Sequence, residues 1–326
     1  MAEPRLFHIG SAVIDYIYQL ERLPNPGDDL LASDFAVSPG GGFNMLLAAK
    51  RSGMESCYAG KIGNGPAGAL LEAALRAEGI KSLNNKAADI DTGTCIVLIT
   101  SDGERTFISR QGAEAQMTMA ELNAVPAAAG DWVFTSGYTL AYPECRQALA
   151  RFIESLPKDR SFVLDPTGAV AAIPADILAR VLKRADWLTC NEAEGQQIAG
   201  EMEGQALSQA LLERFCPNAK GVVVRCGGKG AFLALRGQAP LFLPAFKVET
   251  IDTNGAGDVH AGAFIAALAR GESPQNALRR ANAAAAMSTT RKGGASAPTR
   301  QEVEAFLNRA QEAEIDRRDK GTGTEN

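Results

Sequence analysis

Three observations predict an α/β fold built on a mostly parallel sheet with helices on both faces. From Asp131 onward, short apolar runs alternate with helix-like segments, the pattern of strand–helix–strand units. The polar residues that stand out in that half fall just past the ends of the apolar runs, where such sheets bind ligands. The chain's 326 residues, 46% hydrophobic and 22% charged, also suit one large unit of this kind.

Taken in order, residues 5–9 and 12–20 read as strands around Gly10 and Ser11. Asp15 stands inside the run Val13-Ile14-Asp15-Tyr16-Ile17-Tyr18, where a carboxylate either faces solvent or needs a partner. Leu23-Pro24-Asn25-Pro26-Gly27 is turn chemistry, and residues 30–37 read as another strand. Pro39-Gly40-Gly41-Gly42-Phe43-Asn44 then opens a helix over about 45–51. These glycines suit a tight turn and a close approach to a ligand equally well, and Asn44, which both donates and accepts, suits a sugar diol. Residues 56–60 read as a strand, and 61–68 lead into a helix over 69–78. Residues 93–100 and 105–110 flank Asp102-Gly103, a hairpin signal.

In the alternating half, 132–135, 161–164, 187–189 and 222–225 are the strands, with helix-like stretches such as 144–155 and 206–215 between them. Asp165, Asn191, Glu194 and Gly227 follow strand ends. Asn191 and Glu194 also open a helix, where acids suit the dipole.

The most informative stretch runs over 249–264. A β-branched, extended lead-in over 248–251 meets a glycine turn over 254–257, and a helix follows over 258–269. Small residues let the backbone N–H groups of Gly255, Ala256 and Gly257 point outward, and the helix start adds unpaired N–H groups and a positive dipole end. This is a site for a phosphate or a developing oxyanion. Asp258, at the helix head, reads as an N-cap or as a general base beside the transferred group, and the two roles can coexist. An alanine-rich helix over 274–287, a basic and glycine-rich stop over 290–294, and a last helix over 300–311 complete the predicted domain, 1–311. Residues 312–326 read as a polar, frayed tail.

A net charge of −5 and the lack of a basic run argue against nucleic acid as a partner. The sequence has no apolar run of membrane-spanning length and no signal-peptide core, and its six scattered cysteines form no CxxC pair. Together these features predict a cytoplasmic protein with reduced thiols. Two histidines, His8 and His260, make a His-rich zinc site and a Ser-His-Asp triad poor readings. His260 is expected to face away from Asp258 and to serve helix packing. Gly227-Gly228-Lys229-Gly230 lacks the spacing of a phosphate loop, and no early strand leads into the G-x-G-x-x-G of dinucleotide enzymes.

Asp252-Thr253-Asn254-Gly255-Ala256-Gly257-Asp258 resembles the C-terminal signature of the ribokinase, or PfkB, carbohydrate kinases. The resemblance covers about 7–307 and includes Gly40, Gly41 and Asn44 of the N-terminal signature, with Pro39 in place of its first Gly. It implies a ribokinase-like α/β fold with a small β lid drawn from about 12–38 and 93–110. It implies ATP-dependent phosphorylation of a hydroxymethyl group, with Asp258 as base and an anion hole at Gly255, Ala256 and Gly257. It also implies that Asp15, Gly40, Gly41 and Asn44 bind substrate, and that Asn191 and Glu194 position Mg²⁺ through water. Arg225, Gly227, Gly230 and Asn282 are expected to border the nucleotide, with Arg225 where Thr is usual. Loops beside Asp252 can hold potassium in this family, and many members pair as homodimers through their lids. Val13, where ribokinases carry Asn, argues against ribose itself. Asp165-Pro166 is similar to the start of an Asp-Pro-Asn-x-Arg segment, with Thr167 and Ala169 in place of its Asn and Arg. Without that cation the pocket reads as one for a neutral sugar or, alternatively, a nucleoside. A catalytically silent sensor is the rival of another class.

Overall fold

The computed structural model describes residues 3–83 and 86–321. Its strands are β1 (Arg5–His8), β2 (Ala12–Gln19), β3 (Asp34–Gly41), β4 (Glu55–Tyr58), β5 (Lys81–Ser82), β6 (Thr94–Ile99) and β7 (Arg105–Arg110). They continue with β8 (Trp132–Ser136), β9 (Ser161–Asp165), β10 (Trp187–Asn191), β11 (Gly221–Arg225), β12 (Gly230–Leu235) and β13 (Leu241–Pro244). Nine of them form one sheet in the order β13-β12-β11-β10-β9-β8-β1-β4-β5. The seven from β11 to β5 run parallel, and the β12–β13 hairpin adds antiparallel strands at one edge.

Alternation along these strands feeds two cores, one on each face of the sheet. Trp132, Phe134, Val163 and Val223 point into one core, with the helices Gly42–Arg51, Ala256–Ala269 and Pro274–Thr289. Val133, Phe162, Leu164, Val222 and Val224 point into the other, with Arg146–Ser155 and Ala175–Arg184. The Ala256–Ala269 helix is apolar almost all round and buried from Val259 to Ala267, as a helix enclosed by others must be.

A second sheet, in the order β3-β2-β6-β7, is built from the two segments around the hairpin and the early strands. Here β3 begins at Asp34 and ends at Gly41, four residues later at each end than the sequence suggests. The reason is register: its eight residues pair with all eight of β2, and an edge strand tolerates Pro39. Other bounds also move. Residues 248–250 belong to no strand, because the sheet edge ends at Pro244. The last helix runs Arg300–Gly321, past the expected stop at 311, because Glu, Ala, Arg and Lys in that stretch favour helix despite their polarity.

Candidate active site

The glycine turn is held in place from three sides. The amides of Ile251 and Asp252 donate to the Thr289 carbonyl at 2.7 and 3.0 Å, which fastens the turn to the end of the Pro274–Thr289 helix. The Asp252 carboxylate accepts from the amides of Asn254 (2.8 Å) and Gly293 (2.9 Å). Gly255 sits at φ 71 with the Gly294 carbonyl 2.6 Å from where a Cβ would be, so both conformation and space require glycine. Gly255 is the N-cap of the Ala256–Ala269 helix, and no side chain caps that end. The Ala256 amide donates to the Thr253 carbonyl at 3.3 Å, and the other first-turn N–H groups are available to a ligand.

Asp258 is the third residue of the helix and makes no capping bond, so the N-cap reading does not hold. Burial and the neighbouring Asp165 push its carboxyl up from 3.8 to about 7, against the opposing pull of Arg225 and of the Asn44 amide. A carboxylate poised there can take a proton near neutral pH.

Arg225 ends β11 and lies behind this turn, its guanidinium 3.6 Å from where a Gly257 Cβ would stand. It donates to Asp165 Oδ2 (2.8 Å) and Thr189 Oγ1 (2.7 Å), and reaches Glu194 Oε2 at 3.4 Å. Parallel strands place these groups together, because Asp165, Asn191 and Arg225 each terminate a neighbouring strand. Asn191 and Glu194 form a capping box: Glu194 N donates to Asn191 Oδ1 (2.8 Å), and Asn191 N donates to Glu194 Oε2 (2.7 Å). Burial and Asp165 raise the Glu194 carboxyl from 4.5 to about 7.

On the other side of Asp258 lie the N-terminal residues. Gly41, at φ 56, turns β3 into the Gly42–Arg51 helix, which begins three residues before the expected start and carries Asn44 in its first turn. Asn44 is 3% exposed, and its Oδ1 has no hydrogen-bond partner. The Asp15 carboxylate folds against Gly40, where an added Cβ would fall 2.2 Å from Oδ2. Burial alone lifts the Asp15 carboxyl from 3.8 to about 7.

An open cleft of about 800 Å³ runs from Asp258 toward the β12–β13 edge. Gly255, Ala256, Gly257, Asn191, Glu194, Arg225, Gly227, Gly230 and Asn282 line it. Asp15, Gly40, Gly41, Asn44 and Asp252 do not. His260 lines it as well, contrary to expectation, because the cleft wraps round the helix to reach Asn282. His260 also packs as expected, with Nε2 3.0 Å from Asn282 Oδ1. Asn282 Nδ2 donates to the carbonyls of Leu243 and Pro244, so its Oδ1 is the acceptor and His260 Nε2 carries the proton. Tyr138, Thr167 and Lys247 are also in the wall, without having been singled out as binding residues in the sequence. Tyr138 and Thr167 follow the ends of β8 and β9, so the strand-end rule could have found them. Lys247 lies in an unpaired stretch with no local signal.

The sequence pattern of the pfkB family carbohydrate kinases matches residues 4–301. An uncharacterized sugar kinase of Escherichia coli, YegV, is 34% identical over 90% of this chain and 91% of its own length. The ribokinase of Thermotoga maritima superposes with a TM-score of 0.81 at 26% identity, over 94% of this chain and 99% of that one. Arabidopsis thaliana ribokinase, solved with ribose and ATP, gives 0.74 at 27% identity over 94% and 99%.

Proposed function

This chain belongs to the pfkB family of carbohydrate kinases, phosphotransferases that phosphorylate sugars with ATP, and we propose that it transfers the γ-phosphoryl group to a hydroxymethyl group of a neutral sugar. The observation that carries this reading is Asp258, a carboxyl raised to about 7 within the first turn of an uncapped helix. The acceptor hydroxyl lies between Asp258 and the γ-phosphate. Asp258 takes its proton as the oxygen attacks, and the N–H groups of Gly255, Ala256 and Gly257 stabilise charge on the phosphoryl oxygens.

Asp15, Gly40, Gly41 and Asn44 hold the other hydroxyls. The support is chemical: Asn44 Oδ1 is a buried acceptor without a donor, and Asp15 is a half-buried carboxyl whose raised pKa has desolvation as its one cause. A polyol supplies such donors. Arg225, Gly227 and Gly230 border the phosphates, and Asn282 the base. Asn191 and Glu194 would hold Mg²⁺ through its water shell, and the ion supplies charge neutralisation at the phosphates. Glu194 lines the cleft beside Arg225, and one such carboxylate suits an ion that keeps most of its waters.

A neutral acceptor is supported by the cations nearest Asp258, Lys247 lying in the wall toward the sheet edge. Arg225 is already paired with Asp165 and Glu194, and Ala169 stands where related acid-binding segments carry Arg. The second sheet serves as the lid. Val37, Tyr16, Ile96 and Ile108 form one row across it, and Val37, Ile96 and Ile108 are exposed, a surface suited to a second copy of the chain. We place the enzyme in the cytoplasm, where its six free cysteines stay reduced.

The test is ADP release from Mg-ATP against neutral sugars, sugar acids, sugar phosphates and nucleosides. Turnover with a neutral sugar is expected. Turnover confined to acidic or phosphorylated sugars would overturn the neutral acceptor, and turnover confined to nucleosides would overturn the sugar.

A further inference from the structure

Arg105 opens β7 in the second sheet, yet its guanidinium rests on the anion-hole turn, 147 residues away in sequence. Nη2 donates to Asp252 Oδ1 at 2.5 Å, and Nη1 donates to Thr253 Oγ1 at 2.9 Å. The two charged side chains are 21% and 17% exposed, so solvent screens the pair little. Asp252 is also the residue at which the family resemblance allows a potassium ion. Its carboxylate already has a cation here. Oδ1 already takes the guanidinium and the Asn254 amide, and Oδ2 takes the Gly293 amide. A second cation at the same carboxylate would meet the charge of Arg105 at close range.

Resting on the kinase reading above, we propose that Arg105 is a positioning residue that takes the place of a bound monovalent cation at the anion-hole turn. The turn leads directly from Asp252 and Thr253 into Asn254 and Gly255, so a guanidinium that fixes the first pair fixes the amides that follow. The cation is carried by the second sheet.

The experiment compares wild type, Arg105→Ala and Arg105→Lys in potassium chloride and in tetramethylammonium chloride at equal ionic strength. Turnover is read beside the Kd of Mg-ADP by calorimetry. Wild type should give the same turnover and Kd in both salts to within about twofold, and Arg105→Lys, which keeps the positive charge though not the forked contact, should be equally indifferent to the salt. Arg105→Ala should lose roughly tenfold in turnover in tetramethylammonium, as displaced transition-state donors do, and recover most of it in potassium. Its Kd should follow the same pattern. Wild type activated by potassium, Arg105→Ala as active as wild type, or a loss that potassium does not relieve would each overturn the proposal. Should wild type turn over no sugar in either salt, the kinase reading fails, and the salt dependence of Mg-ADP binding still decides the role of Arg105. Should Arg105→Ala not fold, wild type and Arg105→Lys decide it: potassium activation of either would overturn the proposal.

Discussion

The two sides of Asp258 are built differently. On the proposed nucleotide side Arg225 has three partners, Asn191 and Glu194 cap each other, and Asn282 is bonded at both ends of its amide. On the proposed acceptor side Asn44 Oδ1 is buried without a donor, and Asp15 has no hydrogen bond or ion pair among the described residues. The first side is preformed by the parallel sheet, whose strand ends bring the groups into register. The second leaves polar atoms for a ligand to satisfy, at a cost to the free protein. Under the proposed function, the bonded groups of the first side position the chemistry, and Asn44 Oδ1 and Asp15 are left for the acceptor.

Substitutions on the two sides should therefore have opposite effects on stability. Arg225→Met leaves Asp165 and Glu194 buried without their cation and should lower unfolding stability by about 3 kcal/mol, measured by denaturant titration. A stable Arg225→Met protein would break the comparison. Asp15→Asn should raise KM for the sugar by roughly 10–100-fold with kcat less affected, the signature of lost ground-state binding. It should not destabilise the protein at pH 8. The sign follows from the raised carboxyl: stability that Asp15 contributes when protonated is lost as pH rises through about 7. The melting temperature of Asp15→Asn should thus exceed that of wild type at pH 8, and the gap should close as pH falls toward 4, close to the ordinary value of 3.8.

A third effect belongs to the base between the two sides. With the Asp258 carboxyl at about 7, kcat/KM should fall about tenfold per pH unit below that value and level off above it. A profile flat from pH 5 to 8 would argue against a raised base. The smallest effect concerns Thr167, which holds φ 53, the one positive φ at a non-glycine among the described residues. A β-branched side chain is strained there. Thr167→Asn should stabilise the protein by about 1 kcal/mol, a rise of roughly 2–4 °C in Tm by calorimetry.

How much of this was legible in the sequence depends on how locally each feature is encoded. The glycine turn, the helix after it and the parallel sheet are written in contiguous residues, and the sequence conveys them. The start of that helix was misplaced by two residues because Gly255 takes the cap that Asp258 could have taken. The partners of Arg225 lie 60, 36 and 31 residues away, and no local pattern reports such pairings. His260 illustrates the same limit. That it packs between helices was expected from helix spacing, but not that Asn282 is its partner or that the cleft would reach round to it. Arg105 reads as one more polar residue in a hairpin until the sheet carries it to Asp252.

The most direct test of the account is Asp258→Asn, with phosphoryl transfer and Mg-ATP binding measured on the same preparation. Transfer should fall by roughly 10²–10⁴-fold while the Kd for Mg-ATP stays within about threefold of wild type, because only the base is lost. Transfer at the wild-type rate, with binding intact, would contradict a proton-accepting Asp258 and the mechanism built on it.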